Sequence, residues 1–170
     1  GNMLMDALAR EITDGREHFD RDGTIAASGR TNVDLLGEFL SDPFFRMLPP
    51  KSTGRDRFGE DRFAALRKRT RGTISDPDLM STLLDLTVRS IADAIITFVN
   101  PRGAVSSLLI AGGGAFNGEL CRRLAAALPP ECRLKRSDEF GVPASARESM
   151  AFAALGEAFL RGRPGNIVAA

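Results

Sequence analysis

The sequence predicts an α/β protein that is predominantly helical, with few strands on this chain. Three observations predict it. Residues 105–160 run strand, helix, strand, helix, the order that lays two strands parallel in one sheet through right-handed crossovers. Upstream, leucines and other apolar residues recur three and four positions apart, the spacing of one helix face. No apolar run is longer than about eight residues, far short of the ~20 that cross a bilayer.

The elements follow in order. Asn2 to about Thr13 is the first helix, with Asn2 as an N-cap whose side chain accepts from an orphan backbone N–H. Leu4, Leu8 and Ile12 share its apolar face, and Gly15 ends it. Arg16 to Asn32 is polar and glycine-containing and reads as a loop. Thr31 or Asn32 caps a second helix through Val33, Leu36, Phe39 and Leu40. Ser41-Asp42-Pro43 opens a turn, and Phe44, Phe45, Met47 and Leu48 make a short apolar element. Pro49 to Arg55 is rigid and non-helical, because two prolines remove backbone donors and fix φ. Glu60 to Arg71 is a short helix whose Arg67, Lys68, Arg69 and Arg71 read as a solvated face.

Asp76 caps the longest helix, and Pro77 takes its first position, where a missing N–H costs nothing. Leu79, Leu83, Leu86, Ile91, Ile95 and Phe98 carry its stripe to about Val99. After a turn at Asn100–Gly103, Val105 to Ala111 is a buried strand ending at three glycines. Asn117 begins a helix with Leu120, Leu124 and Leu128 on one face, stopped by Pro129-Pro130. Cys132 to Arg136 is strand-like, Ser137 to Pro143 a loop, and Ala144 to about Arg161 the last helix. Two strands do not make a self-sufficient sheet. More strands are therefore expected upstream of Gly1, where the chain starts without methionine and runs straight into a helical pattern.

The chain has 170 residues, a length that suits one core of useful size. Lysine plus arginine number 23 and aspartate plus glutamate 22, a balance that gives no electrostatic basis for binding nucleic acid or a membrane surface. Phe is the only aromatic residue, so no Trp or Tyr sugar platform exists on this chain. Cys121 and Cys132 form neither a disulfide framework nor a four-ligand zinc site, and free thiols fit a reducing cytoplasm. His18, the only histidine, lies in a charged loop and reads as a solvated side chain. No segment has the residues of a metal site.

Three segments could carry chemistry. Gly112-Gly113-Gly114-Ala115-Phe116-Asn117 follows the buried strand and opens a helix. Glycines there let a ligand approach the backbone, and free N–H groups at the helix start favour polar or anionic atoms. The carboxyl end of a parallel strand is where open α/β sheets bind ligands. The spacing is not G-x-G-x-x-G, and a tight turn with no ligand is the alternative. Lys51-Ser52-Thr53-Gly54-Arg55 is not a phosphate loop by spacing, and reads as a solvated turn or an anion contact through Lys51, Ser52 and Arg55. Glu148, near the start of the last helix, is either a first-turn acid that complements the helix dipole or a site carboxylate.

Several strings together resemble the anhydro-N-acetylmuramic acid kinases. They are Gly1-Asn2-Met3-Leu4-Met5-Asp6-Ala7, Asp20-Arg21-Asp22-Gly23 with Ala26-Ala27-Ser28-Gly29, and Leu40-Ser41-Asp42-Pro43-Phe44-Phe45. Pro50-Lys51-Ser52-Thr53-Gly54-Arg55, the triple-glycine string to Asn117 and Ser137-Asp138-Glu139-Phe140-Gly141-Val142-Pro143 follow, then Glu148 with Ala151-Phe152-Ala153, and Gly162-Arg163-Pro164-Gly165-Asn166. They occur in family order along essentially the whole chain.

The resemblance implies a ribonuclease-H-like (actin-like ATPase) fold, with residues 1–170 as the carboxy-terminal portion of a two-domain kinase. Residues 100–161 would be its βαβα nucleotide-binding part. It implies ATP-dependent conversion of 1,6-anhydro-N-acetylmuramic acid and water to N-acetylmuramic acid 6-phosphate, in cytoplasmic cell-wall sugar recycling, with ATP and Mg²⁺. Gly112, Gly113, Gly114, Ala115 and Asn117 match the family's adenosine motif, and Glu148 a glutamate near its sugar site. Gly1-Asn2 matches the tail of a motif whose aspartate is the catalytic base. No catalytic residue is thus expected on this chain, and its partner is a missing amino-terminal domain; a homodimer is a further expectation. Ser145 and Ser149 stand where members often carry Asp and Ala. Two other readings remain: another sugar or acyl-phosphate kinase of the same superfold, and a non-catalytic helical binding or scaffold module.

Overall fold

Leucine spacing, caps and glycines build a helical layer around one long helix. The structure is a computed structural model that describes residues 2–165; for residues 55 and 56 it describes the backbone alone. Helix α1, Met3–Ile12, buries Leu4, Met5, Leu8 and Ala9 as its periodicity predicts. Asn2 does not cap it: its backbone is already helical, and its side chain accepts no cap hydrogen bond. Its amide instead lies beside Gly114.

The segment Arg16–Asn32 is not a simple loop. It holds a 3-10 turn at Arg21–Gly23 and helix α2 at Thr24–Ser28. Asp20 is buried and accepts from the Ile25 and Ala26 N–H groups at 2.9 Å each, which pins the first turn of α2. Five residues are too few to show a helical apolar period, so the spacing gave no sign of it. Asn32, not Thr31, caps α3 (Val33–Leu40), accepting from the Leu35 N–H at 2.9 Å. Val33 stays exposed, while Leu35 and Phe39 are buried. Asp42 caps the single turn α4, Pro43–Arg46, and α5, Arg55–Phe58, and α6, Glu60–Thr70, follow.

Helix α7, Asp76–Ala94, continues as a π-helical turn over Ile95–Val99. Its cap is Ser75, one residue earlier than the sequence suggests, because the Asp76 carboxylate turns to Arg67 at 2.8 Å and leaves the cap to the serine hydroxyl. The solvated face read for this group holds for Lys68, Arg69 and Arg71, which are exposed, but not for Arg67. Arg67 is buried between Glu11 at 3.0 Å and Asp76; Arg71 also reaches Glu11, and Arg69 holds Glu38. Lys68 alone of that group has no ion pair among the described residues.

Strands β1, Ser107–Ile110, and β2, Arg133–Arg136, pair in parallel with Ser107 opposite Arg133 and Ile110 opposite Arg136. Helix α8, Gly118–Ala127, is the crossover; Leu120, Leu124 and the following Leu128 are buried. These are the only two strands among the described residues. The segment Ser137–Phe140 is a 3-10 turn within the predicted loop. Helix α9, Arg147–Leu160, buries none of its residues. Phe152, Phe159 and Leu160 are exposed.

The core forms around α7, whose Leu79, Met80 and Leu84 are fully buried and whose Leu83 is nearly so. α1, α2, α3 and α8 pack on it. At Gly29, just past α2, an added Cβ would run into the backbone of Pro77 and Asp78. A half-buried polar group ties the same helices together. Arg123 of α8 reaches Glu119 at 2.6 Å, Asp85 at 3.0 Å, Ser81 Oγ at 2.9 Å and the Ala26 carbonyl at 3.3 Å. Glu119 also takes Arg122 at 2.7 Å.

Two outcomes follow from this packing. Gly29→Ala lowers stability by about 2 kcal/mol or more, the scale of overpacking against atoms that cannot move; urea unfolding measures it. The second concerns acid. The hydrogen bond from Arg122, reinforced by Arg123, lowers the Glu119 carboxyl from 4.5 to about 2. A carboxylate lowered on folding stabilises above its unfolded value and loses that contribution as pH falls through the folded one. The stability difference between the unsubstituted chain and Glu119→Gln therefore shrinks from pH 4.5 to about 2. A difference that stays constant over that range in urea titrations contradicts the assignment.

Candidate functional site

β1 ends at Ile110, and the chain turns at the glycines. Gly112 has φ +77, a left-handed conformation that favours glycine, and its N–H donates to the Ala144 carbonyl at 2.8 Å. That bond ties the turn to the residues just before α9. Around Gly112 and Gly113 an added Cβ would meet nothing within 4 Å, so both backbones face open space at the carboxyl end of the strand. Gly114 is packed against Leu120 and Asn2. A 3-10 turn, Gly113–Phe116, follows, with Ala115 buried and Phe116 51% exposed.

Asn117 is buried and caps α8, its Oδ1 accepting from the Leu120 N–H at 2.9 Å. The Gly118 N–H donates to Asp22 Oδ1 at 2.9 Å. The α8 start is therefore not a row of free donors, as its sequence suggests, because Asn117 and Asp22 occupy two of them. Asp22 holds φ +54, a strained value for a non-glycine residue, and the bond to Gly118 fixes it there. Gly23, at φ +73, lets the loop approach; an added Cβ would clash with the Asn117 side chain and lie 2.6 Å from Glu119 Cβ. Asp20 and Asp22 were visible only as members of a resembling string. No local pattern announces a side chain that caps a helix nearly a hundred residues away.

A cavity of about 140 Å³ opens here, with Asn2, Asp6, Asp22, Gly113, Phe116 and Asn117 among its walls. Burial pushes the Asp6 carboxyl above the ordinary range, against the pull of Arg10. Cys121 Sγ lies 3.8 Å from the Gly114 and Ala115 carbonyls, and burial raises its thiol. Both cysteines are free thiols and His18 is exposed.

The other sequence candidates lie elsewhere. Glu148 is in the first turn of α9, its side chain 78% exposed and 3.5 Å from Arg147. It does not line the cavity at the glycine turn, and the Gly112–Ala144 bond is what brings their segments together. Ser145 and Ser149 are exposed beside it. Lys51 donates to the Phe44 and Phe45 carbonyls at 2.9 and 2.8 Å, between the rings of Phe44 and Phe98. It lines a separate cavity of about 230 Å³ with Met3, Leu4, Thr53 and Leu86. Ser52 is exposed, and the Arg55 side chain lies outside the described residues. Among the described residues no group of three or more His, Cys, Asp or Glu could hold a metal ion, and no helix is long and apolar enough to cross a membrane.

Comparison with known proteins adds the family. A sequence model of anhydro-N-acetylmuramic acid kinase matches residues 1–170. Curated proteins of that name are similar along nearly the whole chain. One from Pseudomonas paraeruginosa is 45% identical over 168 residues, 98% of this chain and 44% of its own length. One from Ralstonia nicotianae is 44% identical over 98% of this chain and 42% of its own length. A more distant one, from Caldanaerobacter subterraneus, is 36% identical with the same coverage of this chain. The chain thus spans less than half the length of these relatives. On a match that runs from its first residue to its last, the chain belongs to the anhydro-N-acetylmuramic acid kinase family.

Proposed function

We propose that this chain is the carboxy-terminal portion of a two-domain, actin-like ATPase fold that phosphorylates 1,6-anhydro-N-acetylmuramic acid, giving N-acetylmuramic acid 6-phosphate. The observation that carries the reading is the open backbone of Gly112 and Gly113 at the strand end, tied through Ala144 to the segment that leads to Glu148. One turn thereby joins a nucleotide element to a sugar element. Residues 100–161 form the nucleotide-binding part, with Gly112, Gly113, Gly114, Ala115 and Asn117 against the adenosine. Glu148 positions the sugar. The names of the relatives support the substrate, and the uncovered apolar side chains of α9 fit a surface that the rest of such a polypeptide packs against.

The chemistry has two coupled parts. Water adds to the anomeric carbon as its bond to the bridging oxygen breaks, and that freed oxygen takes the γ-phosphoryl group of ATP, releasing ADP. A base must remove the water proton. The family motif that ends in Gly1-Asn2 carries it on an aspartate, so this chain contributes no catalytic residue. Transfer also needs in-line positioning and Mg²⁺ to neutralise charge on the phosphates. This chain is assigned no metal ligand. Its own work is to hold the nucleoside over the glycines and to keep Glu148 and the turn in one register. Anion contact by Lys51, Ser52 and Arg55 remains part of the reading, and at Lys51 one N–H is left for it after the two carbonyl bonds. Cytoplasmic sugar recycling and a homodimer complete it.

In an assay of the intact gene product with 1,6-anhydro-N-acetylmuramic acid and ATP, the sugar 6-phosphate and ADP are expected in equal amounts by mass spectrometry. The 170-residue chain by itself gives neither. Failure of the intact product, or better turnover of another sugar or an acyl acceptor, sinks the reading. Within an active product, Glu148→Gln raises the sugar KM by about tenfold and leaves the ATP KM unchanged, as expected for a group that binds only the sugar. An equal change in both constants removes Glu148 from the sugar site.

A further inference from the structure

Phe116 is a large apolar side chain that remains half exposed at the mouth of the glycine turn. It is not loose. The Arg136 guanidinium lies over its ring at 4.7 Å. Arg136 is the last residue of β2, and its Nε faces Asp138 Oδ2 at 3.3 Å. The Arg136 N–H is itself held by Glu139 Oε1 at 2.8 Å. Ring and guanidinium thus sit at the carboxyl ends of the two neighbouring parallel strands, since Ile110 of β1 pairs with Arg136 of β2. Gly113, open to solvent on its side-chain face, lines the same cavity as Phe116.

We propose that Phe116, backed by Arg136, is the stacking platform for the base of the bound nucleotide. This rests on the nucleotide reading of the glycine turn and adds to it the residues that recognise the base. The ligand class follows from what the pair leaves available. Arg136 already has a carboxylate at its Nε and a ring against its plane, so it is poorly placed to serve as a phosphate clamp. The first donors of α8 are taken by Asn117 and Asp22. Carboxylates of Asp6 and Asp22 stand on the same cavity and repel a polyphosphate there. What remains is a π surface made electron-poor by an adjacent cation, which suits a planar, electron-rich purine. Phe116 selects for a base, while the glycines admit its ribose.

The test separates the base from the phosphates. Affinities of the intact gene product for ATP and for inorganic tripolyphosphate are measured by calorimetry. Phe116→Leu keeps an apolar side chain of similar size and removes the ring. It is expected to weaken ATP ~10-fold, the scale of one lost base–aromatic stack, and to leave tripolyphosphate within twofold. Phe116→Trp restores ATP affinity, and Arg136→Gln gives a smaller loss, also confined to ATP. Unchanged ATP affinity in Phe116→Leu overturns the platform and leaves the nucleotide site standing. Equal weakening of both ligands, or failure of the Trp variant to restore ATP, also overturns it. An unsubstituted protein that binds neither ligand overturns the nucleotide reading and the platform together.

Discussion

The burial of α7 is the constraint on which the other elements depend. Leu79, Met80, Leu83 and Leu84 lose nearly all contact with water, and each such side chain is worth about 1.5–3 kcal/mol of transfer. No ion pair among the described residues competes with that sum. Arg123 and its carboxylates are half buried, so their mutual attraction is largely offset by lost hydration. The two kinds of interaction do different jobs. Apolar burial drives α1, α2, α3 and α8 onto α7; Arg123 allows one register, because Asp85, Ser81 and Ala26 must all face it at once.

That register reaches the site. With α2 held against α7 at Gly29, the loop before it is carried to the start of α8, where Gly23 gives room and Asp22 reaches the Gly118 N–H. Asn117 takes a second donor. Two donors of the helix start are thereby taken, while the side-chain faces of Gly112 and Gly113 stay open. The chemistry open to this turn is close approach by a neutral part of a ligand, with charge kept elsewhere. This is why Phe116 and Arg136, rather than the α8 dipole, are the recognition elements on this side.

Much of this was readable in residue order. The leucines of α7 and α8 and the paired prolines marked elements near their observed bounds, because each spans at least two turns or a sharp break. What was not readable depended on distant partners. α2 is held by Asp20 and by contact with α7, and its own five residues carry no period. Arg67 looked like one of a solvated group until Glu11 and Asp76 came from two other segments to bury it. The glycine string pointed to a turn for a ligand, and a strand does precede it, although that strand is not buried as read: its residues are half buried apart from Leu109, which is exposed. Whether the donors of α8 were free was decided by Asp22, far away in sequence.

The last consequence concerns α9. Its Phe152, Phe159 and Leu160 are exposed, and exposed apolar patches of this kind mark surfaces that meet something else. The helix is joined to the sheet end chiefly by the chain that leads into it, and there the Gly112 N–H to Ala144 carbonyl bond is the link. Gly112 makes that bond from a left-handed conformation, so the turn cannot slide without breaking it. The uncovered helix and the open turn are in this sense one feature: the same short segment sets where Glu148 stands and how far the backbone of Gly112 is exposed.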